Sequence, residues 1–233
     1  MSRIFTAALA RGDLSMVYQP IRAIAADCDT PVDYFEALLR VKGISPIAFL
    51  NQLTAADYFK LDLWVAQQIL KQDNQCRYAL NLSPFSLANH ELISLLLLSR
   101  PRFVLEIVEH YALTLDQSAL LSEICNQFPV MLDDMGVAYS SLDRLCHFNF
   151  EGIKIDGSLI LEVKKSRKAR AIVISLMQMA RQLNMSCVCE CVETEAIWQW
   201  LKESHAIYAP ELDLYVQGWA VGLPQSLPPS LVV

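Results

Sequence analysis

The sequence predicts an α/β protein, a TIM-like (β/α)8 barrel with one antiparallel strand near the N-terminus. Three observations lead to this prediction. Eight short apolar segments each end in a carboxylate, an amide or a lysine, helical periodicity follows them, and a short connection separates the first two. Alternating strands and helices favour a parallel sheet covered by helices, and eight such units favour closure into a barrel. The alternative is an open, doubly wound sheet.

The strand candidates lie throughout the chain, at residues 16–20, 33–36, 78–81, 103–106, 130–134, 152–154, 186–190 and 214–217. In such a barrel the carboxyl ends of the parallel strands meet at one face, where binding sites form. We therefore expect the polar residues at the strand ends to share one pocket. Helical periodicity is clearest over residues 55–70, 115–125 and 169–183, where apolar residues recur three and four positions apart.

The connection between the first two strand candidates is too short for a parallel arrangement. It holds little more than residues 22–31, which are polar at their end. A parallel crossover needs a dozen or more residues and usually contains a helix. The first two strands are therefore expected to pair as an antiparallel hairpin, which makes the barrel irregular at its start.

Length and composition predict a single domain over residues 1–233, because a chain with 54% hydrophobic residues can bury one sizeable core. No apolar run approaches the roughly 20 residues that span a bilayer, and the N-terminus is too polar for a signal peptide. Seven cysteines, an odd number, fit a reducing compartment. These features predict a cytoplasmic protein without membrane contact. The net charge of −6 argues against DNA binding.

Three cysteines at alternate positions, Cys187, Cys189 and Cys191, invite a metal-site interpretation. On a strand, alternate residues share one face at a spacing of about 6.6 Å, which is too wide for three sulfurs of one tetrahedral zinc site. If Glu190 points into the barrel, these cysteines point outward. We expect them to be small packing residues under the helix layer.

Six strand-end residues are candidate metal ligands: Glu36, Asn81, Glu106, Asp133, Asp134 and Glu190. Five carboxylates in one confined site repel one another, so they either take up protons or bind cations. Oxygen ligands select hard ions such as Mg²⁺ or Mn²⁺. Two divalent ions nearly balance five negative charges, which predicts a site for two ions.

The adjacent pair Asp133 and Asp134 indicates what such a site does. Neighbouring strand residues face opposite ways, so both reach one site only where the strand ends, and Gly136 permits a turn there. Paired metals about 3.5 to 4 Å apart clamp the attacking and leaving oxygens of a phosphoryl displacement. Lys154 suits the nucleophilic water or the developing charge, and Arg40 suits capture of a phosphate.

Each of these residues also has a structural explanation. Asp-Asp-x-Gly is typical of a turn after a strand, and Glu36 alone is compatible with a salt bridge. Lys154 alone would usually lie at the barrel rim with its charge in solvent. Ser83 and Pro84 are typical of a helix start. The recurrence of polar residues at strand end after strand end favours the shared site.

The chain resembles the EAL-domain proteins, bacterial phosphodiesterases that hydrolyse cyclic di-GMP to its linear dinucleotide, 5'-pGpG. The resemblance runs from about residue 5 to residue 224. The motifs that carry it follow in the family's order: Tyr18-Gln-Pro-Ile21, Glu36-Ala-Leu-Leu-Arg40, Asn81-Leu-Ser83, Glu106-Ile-Val-Glu109, Asp133-Asp134 with Tyr139-Ser-Ser-Leu142, Lys154-Ile-Asp156, Glu190-Cys-Val-Glu-Thr194 and Gln217-Gly218.

The resemblance implies a role for each matched residue. Glu36, Asn81, Glu106 and Asp133 would hold one Mg²⁺ or Mn²⁺, and Asp133 would bridge to a second ion held by Asp134 and Glu190. Lys154 would contact the nucleophilic water, with Glu193 and Gln217 supporting water and substrate. Gln19 and Arg40 would bind the dinucleotide, and Glu109 would steady the loop after the fifth strand. The family also implies a homodimer and a role in adhesion or motility.

The departures from the family pattern fall mainly in one loop. Val137 stands where the family usually has threonine, and Ala138 where it has glycine, which reaches backbone angles closed to alanine. Cys191 replaces a usual glycine and Trp219 a usual tyrosine. Val137 and Ala138 motivate one alternative, a cyclic di-GMP receptor with little turnover. The other alternative is a regulatory protein-interaction domain, although family members of that kind typically lose metal ligands that this chain keeps.

Overall fold

The computed structural model describes residues 4–25, 32–72, 75–107, 113–136 and 142–226. Eight strands in chain order form a closed barrel, so the predicted fold class is confirmed and the open-sheet alternative is wrong. The strands are β1 (Leu14–Ala23), β2 (Tyr34–Val41), β3 (Tyr78–Asn81), β4 (Phe103–Ile107), β5 (Val130–Met135), β6 (Gly152–Ile155), β7 (Ser186–Cys189) and β8 (Leu214–Gln217).

Helices cover the outside of the barrel. They are α1 (Ile4–Ala10), α2 (Pro46–Leu50), α3 (Ala55–Ile69), α4 (His90–Leu98), α5 (Leu115–Cys125), α6 (Leu142–His147), α7 (Gly157–Glu162), α8 (Arg167–Gln182) and α9 (Glu195–Tyr208), with short 3₁₀ helices at Pro84–Ala88 and Arg100–Arg102. Capping boxes at Thr54 and Thr114 explain why α3 and α5 begin where they do. Ser83 caps the first 3₁₀ helix through the amide of Phe85, as predicted.

Strand β1 runs antiparallel to both of its neighbours, β2 and β8, whereas the remaining pairs are parallel. The register places Gln19 opposite Glu36 and Ile21 opposite Gln217. This arrangement confirms the antiparallel strand that the short first connection predicted. It also means that the first and last strands close the barrel.

The barrel interior is built in two layers. The lower layer is apolar and comprises Ile21, Tyr34, Ala79, Val104, Met131 and Val188, with Tyr215 packed against them. Because side chains alternate along a strand, the residue two positions further on faces the same interior. On β2, β3, β4, β5, β7 and β8 that residue is a carboxylate or an amide, so the apolar layer forms the floor beneath a polar layer.

Cys187 and Cys189 are buried in the outer core between the barrel and the helices, which confirms their predicted packing role. Within the described ranges, none of the helices is long and apolar enough to cross a membrane.

Candidate active site

The polar layer lies at the carboxyl ends of the parallel strands, two positions beyond the apolar floor. Its members are Glu36, Asn81, Glu106, Asp133, Lys154, Glu190 and Gln217, and Gln19 joins them from the antiparallel strand β1. Strand periodicity and barrel closure together therefore bring residues from all eight strands to one place. Of the six predicted ligands, Glu36, Asn81, Glu106, Asp133 and Glu190 are brought together here.

Lys154 lies at the centre of this layer, with 1% of its side chain exposed. Its Nζ is 2.8 Å from Glu190 Oε1 and 2.9 Å from Glu106 Oε2. It lies 3.4 Å from an oxygen of Glu36 and 3.4 Å from one of Asp133. The alternative interpretation, in which Lys154 lies at the barrel rim with its charge in solvent, is therefore wrong. One ammonium faces four carboxylates, which leaves the cluster short of positive charge.

Glu36 is held from both sides by amide donors. Asn81 Nδ2 donates to Glu36 Oε1 at 2.8 Å, and Gln217 Nε2 donates to Glu36 Oε2 at 2.6 Å. Burial alone would raise the pKa of Glu36, but Lys154 and the two amides outweigh it and the pKa is lowered. Glu36 is thus an ionised and fixed carboxylate.

The other carboxyls of the cluster hold protons more tightly than usual. Burial, reinforced by Glu36, raises the pKa of Glu106 well above its ordinary value. Burial also raises the pKa of Asp133, and it raises that of Glu190 to about 7 against the opposing effect of Lys154. Burial lowers the pKa of Lys154, but the surrounding carboxylates raise it by a larger amount. The net pKa is raised, so the lysine stays charged. Additional cations would stabilise the ionised form of these carboxyls.

The donor chemistry of the cluster fits a divalent cation. Glu106 Oε1 and Gln217 Oε1 are buried acceptors for which the described residues supply no hydrogen-bond donor. In the described part of the chain, no three His, Cys, Asp or Glu side chains are spaced as they stand to hold one ion. The ammonium of Lys154 stands at the centre of the cluster, 2.9 Å from Glu106 Oε2 and 2.8 Å from Glu190 Oε1.

Strand β5 differs from the expected regular strand that ends at the paired aspartates. It continues to Met135, and its register against β6 shifts between Leu132 and Met135. Asp134 adopts φ 61°, and its amide donates to Asp133 Oδ1 at 3.0 Å. This β-bulge interrupts the strict alternation of side chains at Asp133 and Asp134.

A pocket of about 240 Å³ opens beside the cluster. Its lining residues are Gln19, Glu36, Leu38, Glu190, Cys191, Glu193, Gln217, Gly218 and Trp219. The structure thus places Gln19, Glu193 and Gln217 at the pocket. Arg40 is not among the lining residues, and its guanidinium donates to the carbonyl of Leu39 at 2.9 Å. Glu109, Val137 and Ala138 lie outside the described residues.

Four of the lining residues were missed as site residues by sequence reasoning: Leu38, Cys191, Gly218 and Trp219. The prediction that Cys191 packs outward is wrong. Strand β7 ends at Cys189, so strand alternation no longer applies, and Cys191 has φ 50° and lies against the pocket. The available signal for Gly218 and Trp219 was their position directly after the strand-end residue Gln217.

The fold and the site together define a class of α/β-barrel protein with one antiparallel strand and a lysine-centred acidic pocket at the carboxyl ends of its strands. Within that class, the chain belongs to the EAL domain family, whose model matches residues 2–224.

Known relatives agree with this assignment. Cyclic di-GMP phosphodiesterase PdeF of Escherichia coli (strain K12) is 32% identical over 248 residues, covering 94% of this chain and 31% of PdeF. The chain therefore spans about a third of that relative's length. The PaMucR phosphodiesterase in complex with c-di-GMP is 25% identical, with a TM-score of 0.73 and coverage of 94% and 95% of the two chains. A manganese/cy-diGMP complex of Klebsiella pneumoniae BlrP1 is 27% identical, with a TM-score of 0.73 and coverage of 91% and 56%.

Proposed function

We propose that this chain is a divalent-metal-dependent phosphodiesterase that hydrolyses one phosphodiester bond of cyclic di-GMP and releases linear 5'-pGpG. The observation that carries the proposal is the convergence of four carboxylates on one buried lysine, directly beside an open pocket. Family membership and the cyclic di-GMP complexes of its structural relatives support the choice of substrate.

The residues proposed to hold two Mg²⁺ or Mn²⁺ ions are five of the polar layer together with Asp134, which follows Asp133 in β5. Glu36, Asn81, Glu106 and Asp133 would form one ligand set, and Asp133, Asp134 and Glu190 would form the second. When bound, such ions lower the pKa of coordinated water and neutralise charge on the reacting phosphate.

The remaining residues orient water and substrate. The Lys154 ammonium is proposed to donate to the attacking water, and its burial keeps that donor fixed in place. Glu193 and Gln217 support water and substrate from the opposite wall, and the Gln19 amide binds the dinucleotide. Trp219, which is 63% exposed at the pocket, offers a surface on which a guanine base can stack. The phosphate-binding role of Arg40 and the loop role of Glu109 stay predictions.

The decisive experiment incubates purified protein with cyclic di-GMP and Mn²⁺ or Mg²⁺ and separates the products by chromatography. We expect linear dinucleotide to form only with the metal, and Glu36→Ala to lower the rate by on the order of 100-fold or more. Glu162→Ala, which removes an exposed carboxylate from α7, is the matched control and should behave like the parent. Absence of linear product, or normal turnover by Glu36→Ala, contradicts the proposal.

Binding measurements on the same purified protein distinguish the enzyme from the receptor and from the regulatory domain. A receptor would bind cyclic di-GMP in the presence of a chelator without forming product, and a regulatory domain would bind neither nucleotide nor metal. The homodimer that the family resemblance implies is kept as a proposal, and light scattering of the purified chain tests it.

A further inference from the structure

Asp62 is a buried carboxylate that the proposed chemistry does not use. It lies on α3, outside the barrel, and is 4% exposed. Its Oδ2 accepts a hydrogen bond from the backbone amide of Ser83 at 3.0 Å. Ser83 lies two residues after Asn81, a proposed metal ligand, at the start of the Pro84–Ala88 helix. Asp62 therefore contacts the turn that leaves the polar layer at β3.

This turn is held at several points. The amide of Leu82 donates to the carbonyl of Glu106 at 2.8 Å, which ties the turn to the neighbouring strand β4. Gln117 Nε2 donates to the carbonyl of Pro84 at 3.2 Å from α5, and Asn89 Nδ2 donates to the carbonyl of Phe59 at 3.1 Å. Of the side chains that hold this turn, Asp62 is the ionisable one, and its contact at Ser83 is nearer to Asn81 than that of Gln117 at Pro84.

A carboxylate is a costly choice for this position. Burial raises the pKa of Asp62 to about 7, which shows that the folded protein disfavours its ionised form. A neutral asparagine offers the same kind of acceptor oxygen at a lower desolvation cost. When ionised, the carboxylate accepts a charge-assisted bond from the amide of Ser83, 3.0 Å away, which is stronger than the bond that a neutral acceptor would make. Ionised Asp62 thus costs folding free energy but holds the turn more firmly.

We propose that Asp62 is a positioning residue that, through the amide of Ser83, fixes the turn behind Asn81 and so sets the affinity of the polar layer for a divalent cation. This inference rests on the proposed function, because it needs Asn81 to be a ligand. The Asn81 amide already lies 2.8 Å from Glu36, so a small shift of the turn changes the geometry of both side chains. Groups that orient metal ligands typically contribute about 10- to 100-fold in affinity or activity.

The test is calorimetric titration of Mn²⁺ into the full chain without dinucleotide. We expect Asp62→Ala to weaken Mn²⁺ binding about 10-fold. Asp62→Asn keeps an acceptor but loses charge assistance, so we expect a loss of about threefold. The matched control is Asp57→Ala, because Asp57 lies on the same helix, is 1% exposed and accepts hydrogen bonds from Thr54. It should lose stability but keep the parent's Mn²⁺ affinity.

Two results would overturn the inference. One is parent-like Mn²⁺ affinity in either Asp62 variant, where Asp62→Asn alone suffices if Asp62→Ala does not fold. The other is an equal loss of Mn²⁺ affinity in Asp57→Ala, which would show that destabilisation of the fold in general weakens Mn²⁺ binding. A parallel hydrolysis assay keeps the proposed function separate: a parent that binds Mn²⁺ without forming linear product contradicts the enzyme, while the affinity ratios still decide the role of Asp62. A parent that binds no Mn²⁺ overturns both.

Discussion

Trp219 lies beside the acidic cluster with 63% of its surface exposed, so its ring is accessible to a ligand in the pocket. Stacking of a base on an aromatic side chain contributes about 1–3 kcal/mol. We expect Trp219→Ala to raise KM for cyclic di-GMP about 5- to 150-fold with a smaller change in kcat. Trp219→Tyr should keep most of the affinity.

Steady-state kinetics of these variants measures the effect. Tyr208→Ala serves as the control, because Tyr208 is an exposed aromatic residue at the end of α9 and outside the pocket lining. An unchanged KM in Trp219→Ala would rule out base stacking on this side chain.

Asp62 also predicts how stability depends on pH. Its pKa is raised from 3.8 to about 7, so the folded state binds this proton more tightly than the unfolded state. The resulting stabilisation is complete below about pH 4 and is lost as the pH rises through 7. Asp62→Asn removes this loss. At pH 8 the variant should therefore exceed the parent in free energy of unfolding by up to about 4 kcal/mol, and the advantage should disappear toward pH 4.

Urea unfolding at pH 5 and pH 8 checks this expectation, with the exposed substitution Asp116→Asn as the control for a charge change alone. If the stability difference between Asp62→Asn and the parent is the same at both pH values, the carboxyl does not titrate as described.

At the scale of elements, Gly218 directly follows β8 and packs closely against the loop after β7. Its φ is 154°, and a Cβ atom there would lie 2.3 Å from the backbone nitrogen of Val192. We expect Gly218→Ala to cost more than about 2 kcal/mol, because backbone rather than a flexible side chain must move. Gly12→Ala should cost only about 1 kcal/mol, since Gly12 has positive φ but no atom within 4 Å of its Cβ position. Chemical denaturation of both variants gives the comparison, and equal losses would contradict it.

The strands and most of the polar layer were predictable because one rule governs both. Side chains alternate along a strand, so the residues beyond each apolar position had to share the interior once the barrel closed. The bulge in β5 was not predictable in this way, because it depends on register against β6 rather than on the order of residues in β5. Cys191 was misplaced for a related reason: alternation was extended past the end of the strand.

The burial of Lys154 could be recognised only once the barrel was assembled. A single lysine after a strand usually extends its charge into solvent, and only the positions of Glu106 and Glu190 on other strands show why this one does not. The pocket rim escaped prediction because it is made of loop residues, whose placement depends on long-range contacts.

For the molecule as a whole, the excess of carboxylates in the polar layer predicts stabilisation by divalent cations. A ligand at 100 times its dissociation constant stabilises the folded state by about 2.7 kcal/mol. For a chain of 233 residues this raises Tm by about 5–10 °C. Thermal unfolding with Mn²⁺, with Mn²⁺ plus chelator and with Na⁺ at equal ionic strength measures the shift. A Tm that does not respond to Mn²⁺ would contradict a cation site in the polar layer.

Closure of the barrel by its first and last strands has a consequence for biosynthesis. β1 pairs with β8, and Glu36 accepts a hydrogen bond from Gln217, a residue 181 positions later. A nascent chain emerging from the ribosome therefore carries β1 with one open edge until the last strand has been translated. Unpaired strand edges are templates for intermolecular association. Premature termination before β8 would thus remove Gln217 from the polar layer and leave β1 with an unpaired edge that favours aggregation.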